Sequence, residues 1–482
     1  MASRRWTMND LLVILPGITG SVLKRRGVAV WAPAPTMLVS YIRSLGNAIE
    51  WLRLKRDDAD LDDGIEATDL VPYTLVPGLY RFDGYTGLKA HLFEHFDLVE
   101  GDATNDGRPS NYFEFPYDWR RDNRVSAQRL RLLIERELPK WRRHRDDPHA
   151  KVIFVAHSMG GLVARYYIEA LRGYERTKAL ITFGTPHRGA AKVIDYFVHG
   201  YRQFGIELGG FTAALTSMTS MYQLLPRYRA VHDADGEWKR VFDTARDLPR
   251  LDRAKARHAL TIYDEIDRQY AINRNDPAYE VEMLPMVGWG HETIQSATVQ
   301  QNGAVDVSSE ELPPDVDSVF ANGDGTVPRV SAVPIELNDK PLRWWPLNQR
   351  HATMQNNKEM LANLAQVLAA MQGHLQAPAR ALRGEIEHGL GLEVDDAAAA
   401  GNPIRVVVTL HSEEDPRRVV AHVEGVGAEP AAPAREVLLA YDGRAWTGEI
   451  VGLIPATYRL AIRLDNPAAG PRDPVTDVFE VV

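Results

Sequence analysis

The 482-residue sequence predicts an α/β protein, with a mostly parallel sheet flanked by helices and a small β-sandwich at the carboxyl end. Three observations support this prediction. Short apolar runs alternate with helix-like stretches over the first 375 residues, a rhythm typical of parallel sheets with right-handed crossovers. One of these runs leads directly into a serine flanked by small residues. Near the carboxyl end, alternating polar and apolar segments are separated by Gly and Pro, which is typical of antiparallel β-domains.

Composition narrows the class of protein. A hydrophobic content of 45% and a charged content of 25% are ordinary for a soluble globular protein. The net charge of -9 argues against nucleic acid as a partner, and the lack of cysteine excludes disulfides, thiolate metal sites and a cysteine nucleophile. The first apolar run, residues 11–15, is too short for a signal peptide, and no stretch approaches the length of a transmembrane helix. We therefore expect a cytoplasmic protein with at most peripheral membrane contact.

The elements of the first 375 residues follow in the order expected for a parallel sheet. The predicted strands are residues 11–15, 113–115, 151–155, 178–183, 283–288 and 342–345. The predicted helices are residues 36–54, 130–141, 162–171 and 353–371. The runs 11–15, 151–155 and 178–183 are apolar enough for burial on both faces. The helices 36–54, 130–141 and 162–171 show apolar residues at helical spacing.

Two regions depart from this rhythm. Residues 190–280 are rich in helix and loop signals and separate two sheet strands, which predicts a helical lid; the alternative is that they only pack on the core. Residues 376–402 predict a linker of small residues. Residues 403–482 predict an immunoglobulin-like β-sandwich, whose Asp442-Gly443 pair is a hairpin turn signal. The first domain accordingly spans residues 1–375 and carries the lid.

The most informative motif is AHSMGG at residues 156–161, between a predicted strand and a predicted helix. A serine on so sharp a turn is the nucleophile elbow of the α/β-hydrolase fold. The turn strains the backbone of the serine, so its neighbours must be small, as Gly160 is, and as Ala156 is where the consensus has glycine. We therefore predict that Ser158 is the nucleophile of an α/β-hydrolase.

A serine hydroxyl needs a base, and the base needs an orienting carboxylate. In this fold the acid and then the histidine follow the serine along the chain. Asp324 lies between glycines in NGDGTVP, so it is the candidate acid, with an Asx turn as the structural alternative. His351, between a predicted strand and a predicted helix, is the candidate base. The competitors are Asp306, Asp315, Asp317, His374, His388, His411 and His422.

Three earlier histidines receive other predictions. His157 belongs to the elbow and faces away from the nucleophile, so we expect a packing residue. His187 and His291 break the order of the triad, although His187 follows a strand, from which a side chain can line the pocket.

The oxyanion of the reaction needs two backbone N–H donors. Met159 supplies one, because it follows the nucleophile. The other comes from the turn after the first strand, where Ile18 is the first choice and Gly17 the second.

Six motifs in order give a specific family resemblance. They are PGITGSVL at 16–23, PYDWR at 116–120, AHSMGG at 156–161, GTPHRG at 184–189, SMYQLLP at 220–226 and GDGTVP at 323–328. Together they resemble the lecithin:cholesterol acyltransferase family, including its phospholipase A-like members, over about residues 10–370. Secreted members use disulfides, which this chain lacks, and the sandwich lies outside the family core.

The resemblance implies an α/β-hydrolase with a lid that acts on lipid esters and transfers the acyl group to water or to an alcohol. It implies Ser158 as nucleophile, Asp324 as acid, His351 as base, and Ile18 and Met159 as oxyanion donors. The sequence has no glycine-rich phosphate loop, and its Asp and His residues lack zinc-ligand spacing, so we expect no cofactor and no metal.

The expected function is a serine-dependent lipid ester hydrolase or acyltransferase. One alternative is a general carboxylesterase or triacylglycerol lipase on the same triad. Another is a degenerate hydrolase that acts as a binding scaffold through its sandwich. The expected partners are a lipid or other acyl ester, a transiently contacted membrane surface and a protein bound by the sandwich. Asp118 and Arg120 predict a buried ion pair, with positioning of the substrate as the alternative. The arginine-rich stretch 120–145 predicts a solvated helix face, with contact to anionic phospholipid headgroups as the alternative.

Overall fold

A computed structural model gives the fold of the chain. It describes residues 5–32, 46–58, 60–71, 74–76, 80–82, 84–105, 107–203, 206–338, 344–375, 389–395, 397–411, 416, 418–426, 434–466 and 474–482.

Within these residues a seven-stranded parallel sheet forms the centre of the molecule. Its strands are β1 (Leu11–Leu15), β2 (Glu100–Gly101), β3 (Tyr112–Glu114), β4 (Val152–His157), β5 (Thr177–Phe183), β6 (Glu282–Gly288) and β7 (Trp345–Leu347). Their order is β7-β6-β5-β4-β1-β3-β2, and neighbouring strands are parallel. All residues of β1 and β4 are buried, as expected for central strands covered on both faces. This architecture confirms the predicted fold class.

Helices connect and cover the strands of this sheet. The longer ones are α1 (Thr86–His95), α2 (Asn123–Arg145), α3 (Gly160–Ala170), α4 (Lys192–His199), α5 (Arg253–Asn273) and α6 (Lys358–Met371). Shorter ones are Gly46–Leu52, Gly209–Leu215, Thr219–Gln223 and Arg329–Ala332, with 3-10 turns at Gly173–Arg176, Ser318–Phe320, Ile335–Leu337 and Met354–Asn356. Of the predicted helix at 36–54, residues 36–45 lie outside the described part of the chain.

Nine further short strands in the described part of the chain form small sheets separate from the main sheet. They are Trp6–Thr7, Ser21–Arg25, Val28–Trp31, Ile65–Leu70, Thr74–Val76, Tyr80–Phe82, Phe96–Asp97, Arg202–Gln203 and Ile206–Glu207.

The region predicted as a helical lid, residues 190–280, has mixed structure. It holds α4 and two short helices, but Val231–His232 and Trp238–Lys239 join Ser296–Val299 and Val305–Ser308 in a four-stranded sheet. Strands of two residues are too short to show a period-two pattern, so the sequence gives no signal for them. Helix α5 packs on α3, where the Tyr166 hydroxyl donates to Glu265 at 2.8 Å. Its Tyr263 hydroxyl donates to the Gln223 carbonyl at 2.7 Å, so α5 packs against both α3 and the short helix Thr219–Gln223.

The carboxyl-terminal strands form two further sheets. They are β8 (Gly389–Val394), β9 (Ala397–Ala398), β10 (Ile404–His411), β11 (Val419–Val426), β12 (Arg435–Leu438), β13 (Ala440–Tyr441), β14 (Trp446–Ile450), β15 (Ala456–Leu464) and β16 (Val475–Val481). One sheet has the order β8-β10-β14-β13 and the other β9-β16-β15-β11-β12. Leu392 and Val408 of the first share one apolar core with Leu460 and Phe479 of the second. This β-sandwich is distinct from the core of the parallel sheet.

The sandwich begins earlier than the sequence predicts. Strands β8 and β9 lie inside the stretch 376–402 that we expected to be a linker, so that prediction is wrong for these residues. In β8 the leucines alternate with glycines, and glycine disfavours strands, which hides the pattern. The rest of the predicted linker, residues 376–388, lies outside the described residues.

Two further predictions concern the Asp118–Arg120 ion pair and the lack of a membrane-spanning helix. The buried ion pair is confirmed, because Arg120 is fully buried and lies 2.7 Å from Asp118 and 2.9 Å from Asp63. No helix in the described part of the chain is both long and apolar enough to cross a membrane.

Candidate active site

Ser158 lies at the turn between β4 and α3, as the motif predicts. Its φ of 52° is in the left-handed region, which non-glycine residues rarely adopt. A Cβ on Gly160 would lie 2.4 Å from the Pro16 carbonyl oxygen, and one on Gly161 would lie 2.0 Å from the Thr185 hydroxyl. Only glycine fits at these two positions, so crowding by the loops that follow β1 and β5 accounts for the two glycines of the motif.

The structure brings Ser158, His351 and Asp324 together. His351 Nε2 lies 3.0 Å from Ser158 Oγ, and His351 Nδ1 lies 2.7 Å from Asp324 Oδ2. All three side chains are buried. Because a carboxylate only accepts, Nδ1 carries the proton of the neutral ring and Nε2 faces the serine with a lone pair. This is the arrangement in which an imidazole can take a proton from a hydroxyl.

Asp324 also forms the turn that we considered as its structural alternative. Its other oxygen, Oδ1, accepts the N–H groups of Thr326 at 2.9 Å and Val327 at 2.6 Å. The main chain of Asp324 in turn accepts from the His351 N–H at 2.9 Å. One carboxylate oxygen therefore fixes its own loop while the other faces the imidazole.

Four of the competing residues form hydrogen bonds elsewhere in the molecule: Asp306 with Gln300, Asp315 with Arg229, His374 with Thr7 and His411 with Gly290. His422 Nδ1 lies 3.5 Å from a Glu436 carboxylate oxygen in the carboxyl-terminal sandwich, and Asp317 is exposed. His388 lies outside the described residues.

His157 does more than pack, which the sequence reasoning missed. Its Nε2 lies 3.1 Å from the His351 carbonyl oxygen, and its Nδ1 lies 3.3 Å from the Tyr85 hydroxyl. A carbonyl only accepts, so Nε2 carries the proton and Tyr85 donates to Nδ1. Burial lowers the pKa of His157 well below its usual value, so the ring stays neutral. The strand pattern could have indicated burial of His157, but not its partners, because Tyr85 lies 72 residues away.

The Tyr85 hydroxyl also distinguishes the two candidates for the second oxyanion donor, Ile18 and Gly17. It accepts the Gly17 N–H at 2.8 Å, so Gly17 is already engaged. Among the described residues, the N–H groups of Ile18 and Met159 have no protein acceptor. The first-choice donors of the sequence prediction are thus the available ones.

An apolar pocket opens at Ser158, and its space together with its open mouth amounts to about 450 Å³. Its walls come from the turn after β1, the elbow of Ser158, the loop after β5, the loop of Asp324 and the insertion. The lining residues are Ile18, Ser158, Pro186, Ala190, Lys192, Val193, Tyr196, Met221, Leu224, Thr326 and Val327. Phe211, Leu215 and Met218 of the insertion are buried in the core instead. The insertion therefore both packs and lines the pocket.

His187 lines a different pocket, beside Arg165 and Tyr263. Burial, with a smaller contribution from Arg165 and Arg188, lowers the pKa of His187 well below its usual value. His291 is fully buried and accepts the Leu392 N–H at 3.2 Å. Neither histidine borders the pocket of Ser158.

Within the described chain one cluster has the spacing of metal ligands. His91, Glu94 and His95 of α1 bring their ligand atoms within 4.8 Å of one another. His95 Nδ1 is already bonded to the carbonyl of His91 at 2.9 Å, and Glu94 is exposed. None of the three lines the pocket of Ser158.

A comparison with curated proteins finds no match. Among solved structures, the propeptide form of Bacillus licheniformis lipase BlEst2 is similar at a TM-score of 0.32 and 11% identity, covering 98% of this chain and 73% of that one. Its mature form has a TM-score of 0.33 and 11% identity, covering 76% and 95%. A CARDB domain from Pyrococcus furiosus has a TM-score of 0.15 and 13% identity, covering 20% and 88%.

The sequence pattern of one family matches the part of the chain that holds the elbow. Residues 94–248 match "Lecithin:cholesterol acyltransferase", and they include Ser158, Met159 and four of the six motifs. The family resemblance predicted from those motifs is thereby confirmed, and over this region the chain is similar to the lecithin:cholesterol acyltransferase family.

Proposed function

We propose that the protein is a serine-dependent lipid ester hydrolase or acyltransferase. The observation that carries this proposal is the hydrogen-bonded series Asp324–His351–Ser158, which ends in an apolar pocket. A buried serine hydroxyl at 3.0 Å from an imidazole that is itself oriented by a carboxylate is an activated nucleophile. The family match supports the ester chemistry.

The proposed reaction has two halves. Ser158 Oγ attacks the acyl carbon as His351 Nε2 takes its proton, and the oxyanion is held by the N–H groups of Ile18 and Met159. The imidazolium, stabilised by Asp324, then protonates the leaving alcohol as the carbon–oxygen bond breaks, which leaves an acyl-enzyme. Water or a second alcohol attacks this ester by the same steps in reverse, and Ser158 recovers its proton.

The pocket supports an apolar acyl group as the part of the substrate that is bound. Val193, Tyr196, Met221, Leu224 and Val327 present aliphatic or aromatic surface around the nucleophile. Apolar walls with a few polar groups at one end are typical of sites that orient a hydrocarbon ligand toward a reactive atom. We further propose that the rest of the substrate is a phospholipid, a sterol or another alcohol. The proposed enzyme is cytoplasmic and contacts a membrane surface transiently.

A direct assay tests this function. Phospholipid vesicles, a triacylglycerol emulsion and soluble p-nitrophenyl esters are offered to the wild type, to Ser158→Ala and to Ser110→Ala, a change at another buried serine. We expect Ser158→Ala to lower turnover by about 10⁶ and the control to keep it. Near-normal turnover by Ser158→Ala would contradict the proposal.

The same assay separates the alternatives. Faster turnover of vesicles than of dissolved lipid indicates a phospholipase-type enzyme, whereas preference for soluble esters or triacylglycerol indicates a carboxylesterase or lipase. Analysis of lipid products with and without added sterol distinguishes transfer from hydrolysis. No turnover of any ester by a folded wild type would favour the scaffold, with the sandwich binding a protein.

A further inference from the structure

The loop that carries His351 is bonded to the β-sandwich on both sides of the histidine. This loop, residues 348–353, connects β7 with the turn before α6. Four of its six side chains hydrogen-bond to sandwich residues, although the sandwich lies outside the part of the chain that resembles the hydrolase family.

The side-chain amides of Asn348 and Gln349 each donate one hydrogen bond to the sandwich backbone and accept another from it. Asn348 Nδ2 donates to the Leu390 carbonyl at 3.0 Å, and its Oδ1 accepts the Leu390 N–H at 2.9 Å. Gln349 Nε2 donates to the Pro474 carbonyl at 3.0 Å, and its Oε1 accepts the Thr476 N–H at 3.3 Å. Each amide thus pairs with the sandwich backbone as a neighbouring strand would, which fixes the loop in two directions.

Arg350, next to the base, forms the charged contact. Its Nε lies 2.7 Å from Asp477 Oδ2 in β16, and its Nη1 donates to the Leu392 carbonyl in β8. The Asp477 side chain is 1% exposed and that of Arg350 is 16% exposed, so this ion pair is largely shielded from water. The guanidinium also faces the acid loop, since a Cβ on Gly325 would lie 3.1 Å from Arg350 Nη2.

The sandwich reaches the acid as well as the base. The Leu392 N–H donates to the His291 ring at 3.2 Å. The backbone of His291 exchanges two hydrogen bonds with Gly323, the residue before Asp324, at 3.1 and 3.2 Å. Strand β8 therefore contacts the supports of both groups that form the Asp324–His351 hydrogen bond.

We propose that the β-sandwich sets the geometry of the acid and the base, with Arg350, Asp477 and Gln349 as positioning residues that hold His351 against Ser158. This inference rests on the proposed function, because it gives the sandwich a role in the reaction of Ser158. The sandwich would thus contribute to catalysis by supporting the active-site loops. If it served only in targeting or in binding a partner, changes in the sandwich would leave the reaction unaffected.

The test uses Asp477→Asn in the full chain, which keeps the side-chain shape and removes the charge that faces Arg350. We expect kcat on a short p-nitrophenyl ester to fall by about 10- to 100-fold, because a small misplacement of a catalytic group has effects of this size. KM should stay within about twofold, since the pocket residues lie outside the sandwich. The rate of labelling by a fluorophosphonate should fall with kcat.

A second variant, Gln349→Ala, removes two bonds to the sandwich without leaving a charge unpaired, and it decides the question where Asp477→Asn does not fold. Val423→Ala, in the sandwich core and away from the loop, is the matched control for loss of sandwich stability. The double change Arg350→Gln with Asp477→Asn should cost no more in kcat than the worse single change, because the pair acts as a unit.

The outcomes separate the two proposals. Folded Asp477→Asn or Gln349→Ala with kcat within threefold of the wild type would overturn the positioning role while Ser158→Ala still shows the proposed function. An equal loss in Val423→Ala would also overturn it, because general destabilisation would then explain the effect. A folded wild type that turns over no ester and reacts with no fluorophosphonate contradicts both.

Discussion

Around Ser158 the polar groups form two connected series of hydrogen bonds. The first runs from Asp324 through His351 to the serine. The second runs from the Gly17 N–H through Tyr85 and His157 to the His351 carbonyl. The second series ties the oxyanion loop to the loop of the base, so the two halves of the site are held at a fixed separation.

The Tyr85 hydroxyl gives a prediction for this second series. Tyr85→Phe removes the hydroxyl that accepts from the Gly17 N–H and donates to His157 Nδ1, so the loop that presents the Ile18 N–H loosens. We expect kcat to fall by about tenfold or more, since loss of a whole oxyanion donor costs 10²–10³. Tyr458→Phe, which removes a buried sandwich hydroxyl, is the control and should keep kcat.

Gly184 gives a second prediction at this scale. It has a φ of 54°, and a Cβ there would lie 2.8 Å from both Asp324 Oδ2 and His351 Nδ1. Gly184→Ala should therefore separate the acid from the base and lower kcat by about 100-fold.

The matched control is Gly236→Ala, where φ is also positive at 84° but no atom lies within 4 Å of the added methyl group. Both substitutions strain the backbone, but only the methyl group added at Gly184 contacts the acid and the base. Equal kcat values for the two variants, measured on a soluble ester, would refute the role of Gly184.

The residue-scale site was largely predictable because its members follow a fixed order along the chain. Ser158, Asp324 and His351 could be chosen from motif and order alone, and the structure brings them within hydrogen-bond distance. Tyr85 could not be chosen, because a tyrosine before a helix carries no signal of a partner 72 residues later.

At the scale of elements, the insertion between β5 and β6 forms the pocket wall. Helix α4 contributes Lys192, Val193 and Tyr196 to the lining. Sequence reasoning predicted an insertion here from the break in the strand–helix rhythm. It could not distinguish lining from packing, because both need the same apolar residues.

Val193 tests the pocket as an acyl site. Val193→Trp places an indole where the acyl chain is expected, so kcat/KM for long-chain p-nitrophenyl esters should fall at least tenfold while acetate ester turnover stays within threefold. Asp195→Trp, on the same helix and partly exposed, is the control. An equal loss for short and long esters would show that the pocket does not bind the chain.

On the scale of the whole molecule, the parallel-sheet domain and the β-sandwich contact each other at the loops that carry the acid and the base. The apolar core of the parallel sheet and that of the sandwich are separate, and the contacts between them include Asn348, Arg350 and His291. The alternating pattern predicts the sandwich as a domain. The packing of the sandwich against the loops of the acid and the base could not be predicted, because polar contacts between distant segments leave no periodic pattern in the sequence.

Three buried histidines give a prediction for the stability of the whole chain. Burial lowers the pKa of His157, His187 and His291 well below the usual value, so each stays neutral when folded. In the unfolded chain each takes up a proton below about pH 6.5. The unfolded state then binds more protons, so stability falls as pH falls.

Urea unfolding at pH 7.5 and 5.5 measures this effect. Each histidine should lower the free energy of unfolding by up to about 1.4 kcal/mol per pH unit below 6.5. His187→Gln should show a shallower pH dependence than the wild type. An unchanged slope would mean that His187 is protonated in the folded chain.

The central claim is that one serine hydroxyl, activated by the imidazole of residue 351, performs the chemistry. The most direct measurement is mass spectrometry of the protein after reaction with a fluorophosphonate. We expect one phosphonyl group per chain, located on the peptide that holds Ser158, and at least 100-fold slower modification in His351→Ala. Modification at another residue, or none in a folded wild type, would contradict the account.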